Sequence, residues 1–188
     1  YPITIDRTYE AGPFMSEFSS WGPTHDLKLK PEITAHGGEI TSTVPGGYGE
    51  QSGTSMASPN MAGVMALIRN YIKNDATLSA LVAGSNGSAD PVKVNRLANQ
   101  LIMSTATTVR DQGGRVYSPR KQGAGLGSLE NVIDKTSAYL SVNNADNDYR
   151  PKLELGDDPD KDGVYVMSFQ VHNFGLSNLT FEKKLICL

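Results

Sequence analysis

Apolar residues recur at two different periods along this chain, and the change of period divides it. From Ser55 to Tyr71, the positions Met61, Val64, Met65, Leu67, Ile68 and Tyr71 keep spacings of three and four, which predicts a helix. Small Ala57, Ala62, Gly63 and Ala66 lie between them, which implies a helix packed closely against other elements. LSALV at 78–82 reads as an apolar turn of helix before a flexible loop. Asp90-Pro91 then starts a further helix, with proline at the first helical position where no N–H is needed. That helix presents Val94, Leu97, Leu101 and Ile102 on one face. QGAGLGSLENVID at 122–134 predicts a glycine turn leading into a short helix.

The remaining segments follow the shorter period. Residues 32–44, EITAHGGEITSTV, predict a buried strand with a turn at the Gly-Gly, and PGGYG at 45–49 a loop. The first 30 residues are turn-rich, with Gly12-Pro13 and Trp21-Gly22-Pro23 punctuating short apolar pieces such as ITI at 3–5. After about residue 135 the segments SAYLSV, KLELG, YVMSFQVHN and LTFEKKLICL are short, β-rich and separated by polar turns. A boundary is expected near Asp134–Lys135, giving a domain over 1–134 and the opening strands of a β-sandwich over 135–188.

Composition narrows the classes. The 188 residues carry a formal net charge of −3, with no basic excess to suggest a nucleic-acid partner. No apolar run approaches the roughly 20 residues that span a bilayer, so no transmembrane segment is expected. Cys187 is the one cysteine, which excludes an internal disulfide framework. The chain opens on Tyr1 without a signal peptide and closes inside the alternating stretch FEKKLICL, so it reads as a piece of a longer protein.

The chemistry concentrates in QSGTSMASPNMAGV at 51–64. A serine hydroxyl is a weak nucleophile unless a base, an oxyanion site and a fixed rotamer support it. A helix N-terminus supplies part of this, because its first N–H groups lack intrahelical acceptors and point outward with partial positive charge. The N–H of Ser55 could then stabilise an oxyanion on a carbonyl attacked by its own side chain. Gly53 allows close approach of backbone and substrate, and Pro59 removes the usual helical partner of the Ser55 carbonyl. A simpler reading is a glycine loop running into a helix capped by Thr54.

The run GTSMASP with its following helix resembles the serine motif of subtilisin-like serine peptidases. FSSWGP at 18–23, LKPEITAHGGEITST at 29–43 and the PGGYG loop resemble, in order, the segments preceding the nucleophile in that family. STA at 104–106, SPRKQGAG at 118–125 and the β-rich tail resemble its Gram-positive cell-envelope proteinase branch, where a fibronectin-III-like domain follows the catalytic domain. The resemblance implies an α/β fold, the C-terminal portion of a subtilisin-like parallel-sheet domain followed by part of that β-sandwich. It implies that Ser55 forms the acyl-enzyme. Thr54 then lies by the oxyanion site, Met56 beside the nucleophile, and Gly53, Gln51 and Ser52 on the strand edge along the leaving-group side of the cleft. It also implies an extracellular or cell-wall location and a protein or peptide substrate.

Two of the family's triad motifs, D-[ST]-G and H-G-T-x-V-A, do not occur here. Asp6 has the wrong neighbours, HGGEI around His36 lacks the rest of the motif, His25 sits in a polar loop, and His172 lies in an alternating strand. Loss of the triad histidine costs roughly a million-fold in turnover, subtilisin itself being the measured case. The expectation is a serine endopeptidase whose aspartate and histidine come from upstream sequence, these 188 residues being inactive alone. The rivals are a non-catalytic surface or adhesion protein of the same fold and an intracellular tripeptidyl-peptidase-like subtilase. No cofactor is evident. Asp158, Asp160 and Asp162 alternate before Gly163 as in the first half of an EF-hand loop, but the twelfth position is Phe169, so an acidic turn is the better reading and structural calcium stays only an option.

Overall fold

A computed structural model describes residues 14–135, 137–143, 149–154 and 157–182. Five helices and two small antiparallel sheets are present among them. β1 (Ile40–Val44) and β2 (Gly47–Gln51) form a hairpin that feeds directly into the long helix α1 (Thr54–Asn74). α2 (Ala76–Leu81) follows after the cap Asp75, whose carboxylate accepts from the N–H groups of Thr77 and Leu78 at 2.9 and 2.8 Å. α3 (Pro91–Ser104) starts as its sequence predicts, with Asp90 accepting from Val92 N at 2.8 Å and Pro91 at the first position. α4 (Pro119–Gln122) is a single capped turn, and α5 (Leu129–Asp134) begins at Ser128, whose hydroxyl accepts from Asn131 N.

The core lies where the C-terminal half of α1 meets α2, α3 and α5. Ile68 and Ile72 of α1, Leu78 of α2, Leu101 of α3 and Val132 of α5 are fully buried, and Val94, Leu97 and Ile102 nearly so. Each such side chain contributes about 1.5–3 kcal/mol through removal from water. The apolar face read for α3 is therefore its core face.

The segment 124–127 runs between two others. Thr34 N donates to Gly125 O at 2.8 Å and Gly127 N to Thr34 O at 3.0 Å, giving a parallel bridge between Thr34 and Leu126. On its other side, Thr107 and Leu126 exchange both backbone hydrogen bonds in an antiparallel bridge. Helices mixed with strand pairings of both senses are compatible with an α/β class. Two strand expectations change. The buried strand at 32–44 is one bridge at Thr34 plus β1, whose middle residues are exposed; PGGYG is a two-residue turn and the start of β2.

In the β-rich part, β3 (Ala138–Ser141) pairs antiparallel with β4 (Gln170–Asn173), Tyr139 opposite His172. The two rings stack at 4.6 Å, and Ser141 Oγ lies 2.7 Å from His172 Nε2. β3 packs on α3, where Leu140 N donates to Ser104 Oγ at 2.8 Å, and Tyr139 and Phe174 pack against the main core. The strand expected over 165–173 narrows to β4: Tyr165 through Phe169 form no ladder and are exposed. Asp158 accepts from Gly163 N at 2.8 Å and Asp162 N at 3.3 Å, so the acidic run is a self-bonded turn. ITI at 3–5, Asp6, Gly12-Pro13, the ends of KLELG and LTFEKKLICL, and Cys187 lie outside the described residues.

Candidate active site

The β1–β2 hairpin delivers the chain into α1 with no intervening loop: Gln51 ends β2 opposite Ile40, and Thr54 is already helical. Between them Gly53 adopts φ 152° and ψ 167°, a conformation that a side chain would strain. Gly53, not Thr54, is therefore the helix cap, and it has no side chain with which to cap. Its carbonyl accepts from Met56 N at 3.0 Å and Ala57 N at 3.3 Å, which closes the first turn. Its N–H donates to Gly37 O at 2.8 Å.

That last bond depends on a second glycine. A Cβ on buried Gly37 would stand 2.7 Å from Gly53 O and 2.9 Å from Ala57 Cβ, closer than atoms can pack. Gly37 is thus what lets the 34–38 segment lie against the start of α1. Ser52 adds a second tie, its hydroxyl accepting from Glu39 N at 2.7 Å. The Gly-Gly pair at 37–38 signals a turn in the sequence, but the close approach of Gly37 to the start of α1 has no such signal.

Ser55 occupies the second position of α1 and is exposed. Neither its hydroxyl nor its N–H has a hydrogen-bond partner among the described residues, so the N–H of a 21-residue helix's first turn faces outward beside the Ser55 hydroxyl. Met56 is half-buried, its sulfur 3.8 Å from where a Gly53 side chain would begin. Pro59 falls in the second helical turn, and the helix runs through it to Asn74.

Thr54 and Ser52 line an open-sided cavity of about 630 Å³, shared with Phe14, Met15, Phe18 and His36. Ser55 does not line it, and His36 makes no hydrogen bond to Ser55. His25 is in an exposed turn and His172 is engaged with Ser141 and Tyr139. Gln51, Ser52, Gly53, Thr54, Ser55 and Met56 are thus brought together, and no histidine among the described residues is paired with the serine. Among the described residues no group of three metal-ligating side chains occurs, and no helix is long and apolar enough to cross a membrane.

Residues 3–125 match the model of the subtilase family. The chain is 37% identical over 172 residues, 89% of its length, to the PI-type proteinase of Lactococcus lactis subsp. cremoris. It is 37% identical over 159 residues to the PII-type proteinase of Lacticaseibacillus paracasei, and 33% identical over 165 residues to the C5a peptidase of Streptococcus pyogenes. It spans 9%, 8% and 13% of those three proteins respectively. A serine presented at the glycine-seated start of a long helix, within a matched region covering most of the chain, places it: the chain belongs to the subtilase family.

Proposed function

We propose that this chain carries the nucleophile-bearing part of a subtilisin-like serine endopeptidase, with Ser55 as the nucleophile. Support comes above all from Ser55 itself, exposed at the second position of α1 behind a turn seated by Gly53 on Gly37. In this reading Ser55 Oγ attacks the scissile carbonyl of a protein or peptide substrate. Its own N–H, at the positive end of α1, stabilises the oxyanion that forms. The acyl-enzyme is then hydrolysed. A histidine takes and returns the proton, and an aspartate orients it; both are supplied by the remaining part of the catalytic domain, upstream of Tyr1. No metal or cofactor takes part in these steps.

The surface of α1 supports such a missing partner. Ala62, Gly63, Ala66 and Leu67 are exposed, Leu67 by 55%, although small residues at this spacing suit close packing. The expected packing is not made by the described residues, and the upstream part of the domain is the occupant we assign to that face. The β-rich part beyond about residue 135 is read as the opening of a fibronectin-III-like domain serving as a spacer or substrate-positioning module. An extracellular or cell-wall location belongs to the same reading, and the kinship with bacterial proteinases supports it. The test is hydrolysis of an unfolded protein substrate by the full-length protein. Ser55→Ala should lower turnover about 10⁶-fold, as the equivalent loss does in subtilisin, the family's own case. A full-length protein without hydrolysis, or a Ser55→Ala variant that keeps it, overturns the reading.

A further inference from the structure

Residues 149–154 cross from the β-rich part onto the segment that precedes the Gly37 seat. Their contacts there are ionic. Glu32, with a side chain 19% exposed, faces three cations: it pairs with Lys30, with Arg150 Nη1 at 2.7 Å and with Lys152 Nζ at 3.4 Å. Lys152, 11% exposed, also reaches Glu154 at 2.8 Å and donates to Leu29 O at 3.1 Å. Glu154 accepts in turn from Leu29 N at 3.2 Å. At the other end of the segment Tyr149 is held on α3, where Gln100 donates to its carbonyl at 2.9 Å and the Arg96 guanidinium lies 4.4 Å from its ring centre.

We propose that residues 149–154 form a strap fastened by an electrostatic clasp, with Glu32 as its anchor and Arg150 and Lys152 as its two grips. The observations carry this in three ways. The partners lie 118 to 125 residues apart in sequence, so the contact is tertiary. Glu32, Arg150 and Lys152 are only part-exposed, and a charge that loses its partners in such a site is left poorly solvated. Finally, the strap lies on a short rigid route to the serine turn. Thr34, two residues beyond Glu32, bonds to Gly125 and Gln122, and Gly37 accepts from Gly53 N. Pairs this far out of water are screened by salt much less than surface pairs, so the clasp is opened by removing its carboxylates and not by ionic strength.

The experiment follows the reactivity of Lys152 in the full-length protein. It is pulse-acetylated with an N-hydroxysuccinimide ester and compared by mass spectrometry with exposed Lys135 as internal reference. Lys152 should react at least about tenfold more slowly than Lys135, and about 1 M sodium chloride should leave most of that difference in place. Glu32→Gln combined with Glu154→Gln, which removes both carboxylates that Lys152 faces, should raise its reactivity most of the way to that of Lys135. Should that variant fold poorly, Glu154→Gln alone removes the nearer carboxylate and must raise Lys152 reactivity in part. Lys152 that stays equally slow in the variants, or that is as reactive as Lys135 in the unaltered protein, overturns the clasp. The readout does not involve hydrolysis, so it stands or falls separately from the peptidase assignment.

Discussion

The two halves of α1 share one helical period and face different fates. In the C-terminal half, Ile68 and Ile72 are fully buried against α2, α3 and α5. In the N-terminal half, Ser55, Ser58, Pro59, Ala62, Gly63, Ala66 and Leu67 are exposed. One half supplies cohesion, the other presents a side chain and a surface of small residues. A helix end that must offer outward N–H groups and admit a substrate cannot also be wrapped in apolar contacts. Stability and chemistry are therefore separated along a single element, and the separation can be tested at neighbouring positions.

The largest stability effect is expected in the buried half. Ile68→Ala in the full-length protein should cost about 2–5 kcal/mol in denaturant unfolding, since no side chain can collapse into a fully buried site without leaving a void. A cost below about 1 kcal/mol would mean that this half is not the anchor. Next comes the seat of the serine turn. Gly37→Ala must push apart Gly53 O and Ala57, and should cost about 1–3 kcal/mol. It should also slow acylation of Ser55 by an order of 10²-fold, because displacement by about 1 Å is enough to lose alignment. Wild-type acylation in that variant would remove Gly37 from the account.

Gly63→Ala distinguishes the two halves by sign. Among the described residues a Cβ at Gly63 meets nothing within 4 Å, so a helix open to water would gain about 0.5–1 kcal/mol from the substitution. If the rest of the catalytic domain packs there, the full-length protein should instead lose stability. Thermal unfolding of that one variant decides whether the face is covered. The smallest effect concerns acid. Burial raises the Glu32 carboxyl, but the Lys30 hydrogen bond and the charges of Lys30, Lys152 and Arg150 outweigh it and hold it below the usual carboxylate range. A depressed folded-state value means that its contribution is present above the ordinary carboxylate titration and is lost as pH falls through the lowered value. Glu32→Gln should therefore flatten the acid limb of the stability–pH curve, by about 1 kcal/mol or less at this part-exposed site.

The helices were legible in the sequence because their signals are local. Asp90-Pro91 is a cap and a first residue whatever surrounds it, and the α3 face of Val94, Leu97, Leu101 and Ile102 needed only periodicity. The strands were not, because their partners are distant or glycine-rich. Thr34 pairs with Leu126 some ninety residues away, and Gly47 and Gly49 look like loop residues until set opposite Val44 and Ser42. At the site, the serine motif marked the helix start, while the role of Gly37 depends on a contact with Gly53 that no spacing rule contains. The strap contacts of Glu32 were equally invisible, since an isolated glutamate between lysine and apolar residues signals nothing.

The central claim is that Ser55 is a nucleophile whose base lies outside these 188 residues. Fluorophosphonate labelling tests it most directly, with the adduct located by peptide mass spectrometry. The full-length protein should label at Ser55, and residues 1–188 alone should not label. Efficient labelling of the isolated chain, or a full-length protein that labels elsewhere or not at all, would contradict it.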